Sequence, residues 1–194
     1  MSTRPEAPRD PQPSGNAVFS SCAKADRAGH DRAACQVCDT YRYTLDRAWG
    51  DGPIVGWLML NPSTATSTAD DPTIRRCTGF TAAWGYERFT VRNLFALCAT
   101  KPEALKVHLD PVGPDNDDHL CDLVHADIVV CAWGNHGRID GRARQVVEML
   151  ADLHVDLVHL GLTGLHQPKH PLFTLGTLRP QPLDVAKFLR RRGR

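Results

Sequence analysis

Apolar residues along the chain gather in short runs separated by polar loops. Tyr41, Tyr43 and Leu45 alternate with Arg42, Thr44 and Asp46, a period of two that predicts a half-buried strand. After the Gly50-Asp51-Gly52-Pro53 turn, Ile54 to Leu60 is an apolar run of strand length, the pattern of a strand buried on both faces. Asp71-Pro72 then reads as an N-cap followed by proline at the first helical position, opening a helix through Ile74, Phe80 and Trp84 that stops at Gly85. Phe89 to Phe95 predicts a second buried strand, and a helix through Leu120, Leu123 and Val124 follows the turn at 110–118. Asp127 to Trp133 predicts a third strand, Gly141 to Leu153 a helix, Val155 to Leu160 a fourth strand and 183–192 a short closing helix.

Strands and helices thus alternate, which predicts an α/β fold with a mainly parallel sheet covered by helices. Residues 1–15, with four prolines and few apolar groups, are expected to be a disordered tail. Residues 16–194 are expected to form one domain, carrying a polar, cysteine-rich surface excursion at 20–40. No run of apolar residues is long enough for a membrane span, and no secretory signal pattern opens the chain, so a cytoplasmic protein is expected. A monomer is the simplest expectation.

In a parallel sheet, ligands bind beyond the carboxyl ends of the strands. Asn61 and Ser63, Asn93, Asn135 and His136, and His170 all fall just after apolar runs, so these polar groups are expected to converge on one rim. Taken singly, each also reads as an ordinary turn or hydrogen-bonding residue. P-loop, G-x-S-x-G and H-E-x-x-H motifs are missing, so phosphate-loop hydrolysis, a nucleophile elbow and that type of zinc protease have no support.

Charge adds one feature. The formal net charge is only +1, but Arg179 to Arg194 carries six Lys/Arg against one Asp, a local +5. This end suits phosphates, or is simply a solvated terminus. Seven cysteines, an odd number, argue against a disulfide framework. Cys35-Gln-Val-Cys38 instead presents two thiolates to one metal or cluster. Cys22, His30, Cys35 and Cys38 would make a local zinc site.

The order of the motifs resembles that of the uracil-DNA glycosylase superfamily. Its first active-site motif is similar to Trp57-Leu58-Met59-Leu60-Asn61-Pro62-Ser63, its second to Val91-Arg92-Asn93-Leu94, its third to Val130-Cys131-Ala132-Trp133-Gly134 and its last to His170-Pro171-Leu172. The resemblance runs from about Cys35 to Leu172. It implies a three-layer α/β/α sandwich that cleaves an N-glycosidic bond in DNA, releasing a damaged or modified base. Asn93 would then read the base edge, His170 would stabilise the leaving base and Asn61 would position water. Phe80 or Trp57 would stack on the base, and Arg75 and Arg76 would hold a phosphate. The chain departs from that superfamily in lacking an acidic residue in the first motif and a serine in the last. Its loop from Gly161 to Pro168 is short for a duplex-penetrating wedge. A nucleic-acid binding module without turnover, or a hydrolase of free nucleosides or nucleotides, therefore stays open.

Longer literal matches resemble an uncharacterised bacterial family, the DUF1643 proteins: Leu60-Asn61-Pro62-Ser63-Thr64-Ala65, Asp71-Pro72-Thr73-Ile74-Arg75-Arg76-Cys77, Asn93-Leu94-Phe95-Ala96 and Asp110 to Asp117 among them. The cysteine order, finally, is similar to the iron–sulfur branch of the glycosylases. That likeness implies a [4Fe-4S] cluster on Cys35, Cys38, Cys98 and Cys121, with Cys22 as a possible replacement and one zinc ion as the alternative.

Overall fold

The computed structural model describes residues 40–63, 65 and 69–191 in full, and the backbone of 32–37. The seven strands are β1 (Arg32–Val37), β2 (Arg42–Ala48), β3 (Ile54–Met59), β4 (Arg88–Asn93), β5 (Ile128–Cys131), β6 (Leu157–His159) and β7 (Gln181–Pro182). The α-helices among the described residues are α1 (Pro72–Ala83), α2 (Asn116–Cys121), α3 (Arg142–Asp152) and α4 (Val185–Arg190). They build one sheet in the order β1-β2-β4-β3-β5-β6-β7.

The α/β class stands, but the sheet is mixed where a mainly parallel one was expected. β4-β3-β5-β6 form a parallel centre, and β1, β2 and β7 join antiparallel at the edges. The difference has a simple origin. Only the central strands are joined by helical crossovers, which parallel pairing requires, while β1 and β2 are separated by a tight connection that permits antiparallel pairing alone. Of the expected surface excursion at 20–40, residues 20–31 and 38–39 lie outside the described residues, and 32–37 is an edge strand paired with β2, Cys35 opposite Leu45. The tail at 1–15 lies outside the described residues.

Alternation along β3 puts Val55, Trp57 and Met59 in one core and Leu58 in the other. The first core receives α1 through Ile74, Cys77 and Phe80. Asp71 caps that helix, its Oδ1 accepting from the Ile74 N–H at 2.8 Å, a contact worth about 1 kcal/mol. The helix ends where Gly85 takes a φ of 87°, a conformation that favours glycine. On the opposite face α3 buries Ala143, Val146, Val147 and Leu150 at helical spacing, beside Leu120 of α2. Gly56 is needed in β3 because a Cβ there would stand 2.8 Å from Leu123 Cδ2. Among the described residues no helix is long and apolar enough to cross a membrane.

Candidate functional site

β3 has β4 on one side and β5 on the other, so the chain reverses its direction of travel across the sheet at the carboxyl end of β3. Such a switch point leaves a crevice. Here the crevice is a cleft of about 560 Å³, lined by residues that follow all four central strands, Asn61, Asn93, Trp133 and His170 among them.

Each wall is fixed by identifiable bonds. Met59 and Asn93 are register partners at the ends of β3 and β4. Asn116 donates from Nδ2 to the carbonyls of Asn93 and Leu94, both at 3.1 Å, and Arg142 Nε donates to Leu94 at 2.9 Å. These buried groups hold the end of β4. The loop after β6 is tied to the loop after β5: Trp133 Nε1 donates to Gln167 Oε1 at 3.0 Å, Thr163 Oγ1 to Asn135 Oδ1 at 2.6 Å, and the Gly134 N–H to the Pro168 carbonyl at 2.9 Å. Gly137 permits this packing, since a Cβ there would lie 2.0 Å from the Trp133 ring.

Six of the sequence-predicted residues, Asn61, Ser63, Asn93, Asn135, His136 and His170, line this cleft together. Asn61 spends its Nδ2 on the carbonyls of Pro62 (2.9 Å) and Ala99 (2.6 Å), leaving Oδ1 for a ligand. Asn93 is 5% exposed, and its side chain forms no hydrogen bond among the described residues. Its free amide is a donor–acceptor pair facing the cleft wall. His170 Nδ1 accepts from the Leu172 N–H at 3.4 Å, which assigns the proton of the neutral ring to Nε2. Burial lowers the His170 pKa below its ordinary value, and the nearby Asp71 carboxylate offsets this only in part.

Four predicted residues stand elsewhere. Phe80 is 2% exposed and packs in the core, its ring 5.3 Å from that of Trp84, while Trp57 is fully buried beside it. Neither ring reaches the cleft to stack on a base. Arg75 is exposed and donates to the Asp70 carbonyl at 2.6 Å, away from the cleft lining. Arg76 lies under the His170 loop, donating from Nε to the Pro171 carbonyl at 3.4 Å and from Nη2 to that of Thr174, with its guanidinium over the Phe80 ring. It is a positioning residue for the loop.

The structure adds lining residues that the sequence reading passed over: Arg42, Asp71, Lys169 and Phe173. Asp71 is the one carboxylate in the lining. It was visible only as a helix cap, and a cap that follows a strand-end loop also faces that loop's crevice. Phe173, 81% exposed, sits with its ring 5.8 Å from that of His170.

The cysteines give a divided picture. Cys22, Cys38 and His30 lie outside the described residues, as does the side chain of Cys35. The exposed Cys98 donates its N–H to the Thr40 carbonyl at 3.0 Å, placing it beside the stretch that follows Cys38. Cys121 ends α2, where desolvation and then Asp118, Asp117 and Asp122 raise its thiol pKa, which opposes a thiolate. Among the described residues no three His, Cys, Asp or Glu side chains gather to hold a metal ion.

A mixed sheet covered by helices, with a cleft at its switch point, makes this an α/β protein. Over residues 42–172, a span that contains the cleft lining apart from Phe173, the chain matches the family DUF1643, described as a protein of unknown function, and it belongs to that family. No curated protein and no solved structure matches it.

Proposed function

We propose that this protein takes a nucleobase of a nucleic acid into the cleft and hydrolyses its N-glycosidic bond, as the uracil-DNA glycosylases it resembles in motif order do. The same reading assigns its parallel centre, β4-β3-β5-β6, to a glycosylase-like three-layer sandwich. The observation that carries the reading is Asn93. Its amide makes no hydrogen bond to the described residues and opens into the cleft, and a base edge offers the complementary donor and acceptor.

In this mechanism His170 stays neutral and donates from Nε2 to the negative charge that grows on the leaving base. Asn61 Oδ1 accepts a hydrogen bond from the attacking water and orients it. An amide takes no proton at neutral pH, so Asn61 is not the base. Asp71 supplies the cleft's negative charge, which favours the cationic sugar of the transition state and can accept the water's proton. Phe173 takes the stacking role first assigned to Phe80.

A neighbouring groove supports nucleic acid over a free nucleoside. It measures about 830 Å³ and is lined by Lys106, Arg138, Arg144 and Arg191 with no carboxylate, and it shares Asn135 with the cleft. Such a surface follows a phosphate backbone. We also retain, as part of the proposal, a metal centre on Cys35, Cys38, Cys98 and Cys121, a [4Fe-4S] cluster or a zinc ion, and a cytoplasmic setting that keeps those thiols reduced.

The test is base release from oligonucleotides carrying uracil and a panel of oxidised, alkylated and deaminated bases. Release from at least one, lost in Asn93→Ala and His170→Gln, is expected. Tight oligonucleotide binding with no release from any of them would overturn the hydrolase and leave a binding module.

A further inference from the structure

The buried guanidinium of Arg42 has no use in the reading above. Arg42 opens β2, is 7% exposed and lines the cleft. Its Nη1 donates to the Ala65 carbonyl. Among the described residues its Nε is buried with no partner, Nη2 makes no hydrogen bond, and no carboxylate pairs with it. The Nε–Nη2 edge is the side of a guanidinium that grips an oxyanion with two parallel bonds. A buried charge left unpaired is strongly unfavourable, so this edge waits for a counter-ion.

The rest of the lining agrees. Lys169 is held in the cleft wall by its own N–H, which donates to the Gly161 carbonyl at 2.9 Å, and its ammonium forms no ion pair. Against these two cations stands Asp71 alone, whose Oδ1 already caps α1. The described lining therefore carries two cations, Arg42 and Lys169, against one carboxylate.

We infer that Arg42, with Lys169, forms an anion subsite that takes a phosphate of the nucleotide whose base Asn93 reads. The base half of this statement rests on the proposed function; the anion half rests on Arg42 itself. The phosphate comes either from a free nucleotide or from a strand end.

The experiment is calorimetric titration of the full chain with inorganic phosphate, nucleosides, nucleoside 5′-monophosphates and short single strands with and without a 5′-phosphate. Arg42→Gln and Lys169→Gln are compared with the unmodified protein. A monophosphate is expected to bind about tenfold or more tightly than its nucleoside, the worth of a charge-assisted hydrogen bond. Both variants should lose that margin and keep the nucleoside affinity. A 5′-phosphorylated strand that binds more tightly than its dephosphorylated twin assigns the phosphate to a strand end; equal twins with tight mononucleotide binding assign it to the free nucleotide. Equal affinity for nucleoside and monophosphate overturns the subsite and spares the base reading. Phosphate binding with no gain from any base keeps the subsite and overturns the base reading. Silence with every probe overturns both. Should Arg42→Gln fail to fold, Lys169→Gln and the ligand series on the unmodified chain still decide.

Discussion

Asn61 donates its Nδ2 to the carbonyl of Ala99 at 2.6 Å, joining the loop after β3 to the loop after β4 across the floor of the cleft. The bond gives Asn61 two roles that substitution can separate. Asn61→Ala removes both the clamp and Oδ1, while Asn61→Asp keeps an oxygen and loses the donor. Both should lower stability by about 1–2 kcal/mol, because the Ala99 and Pro62 carbonyls lose their donor. Denaturant midpoints check this. Equal stability of all three proteins would show that the clamp contributes nothing.

His170 sets a pH dependence whose sign follows from its burial. Its folded pKa lies below the ordinary 6.5, with desolvation as the larger cause and Asp71 opposing. As pH falls through 6.5 the unfolded chain binds a proton that the folded chain resists, so stability is complete above 6.5 and is lost toward the folded pKa. His159 adds to this, its own pKa lowered by desolvation while Nδ1 accepts from the Gly161 N–H at 2.8 Å. Asp71→Asn keeps a good helix cap and removes the opposing charge, so the His170 pKa should fall further. Imidazole titration followed by NMR measures it; an unchanged or raised pKa in Asp71→Asn would refute the coupling.

Phe80 in the core and Phe173 in the cleft separate packing from recognition. Phe80→Ala should destabilise the protein by about 3–5 kcal/mol, since it empties a filled core position between Trp57, Trp84 and Arg76. Phe173→Ala should leave stability almost unchanged and weaken oligonucleotide binding by about 1–3 kcal/mol, the worth of one stacked base. Thermal melts and binding isotherms check both variants; unchanged oligonucleotide binding in Phe173→Ala would show that Phe173 is only a surface residue.

Much of this was legible in the residue pattern, for physical reasons. The apolar runs ending at Leu60 and Trp133 announced central strands because a strand buried on both faces is mostly apolar, while β4 carries the buried polar residues Thr90, Arg92 and Asn93 within it. The rim rule then placed Asn61, Asn93 and His170 correctly in space. The antiparallel edges were less visible: β7 is two residues long, and β1 lies in a segment whose composition reads as loop. Phe80 misled because an aromatic on an amphipathic helix has the same signature whether it faces a core or a pocket. Arg42 was hidden by alternation, which sends the polar member of Tyr41-Arg42-Tyr43 to solvent, whereas here it is buried. Only the neighbouring backbone, with Arg42 N–H on the Ala96 carbonyl at 2.9 Å, fixes its place.

The cysteines yield the last prediction. Protein purified without oxygen should carry either about four irons with matching sulfide or one zinc. Cys98 decides between them. It lies beyond β4, far along the chain from Cys35, yet its N–H meets the Thr40 carbonyl just past Cys38. A cluster that uses Cys98 ties the β1–β2 edge to the loop after β4, so Cys98→Ala should lose the iron and loosen that edge. A zinc ion on Cys22, His30, Cys35 and Cys38 needs nothing from Cys98, so Cys98→Ala should keep it. Cys121 is tested in the same sense. Desolvation and then its acidic neighbours oppose a thiolate, so retention of full metal content in Cys121→Ala would favour zinc or a cluster in which Cys22 replaces it. Metal analysis of the two variants beside the unmodified chain settles which, and a chain free of iron and zinc under these conditions would remove the metal from the proposal.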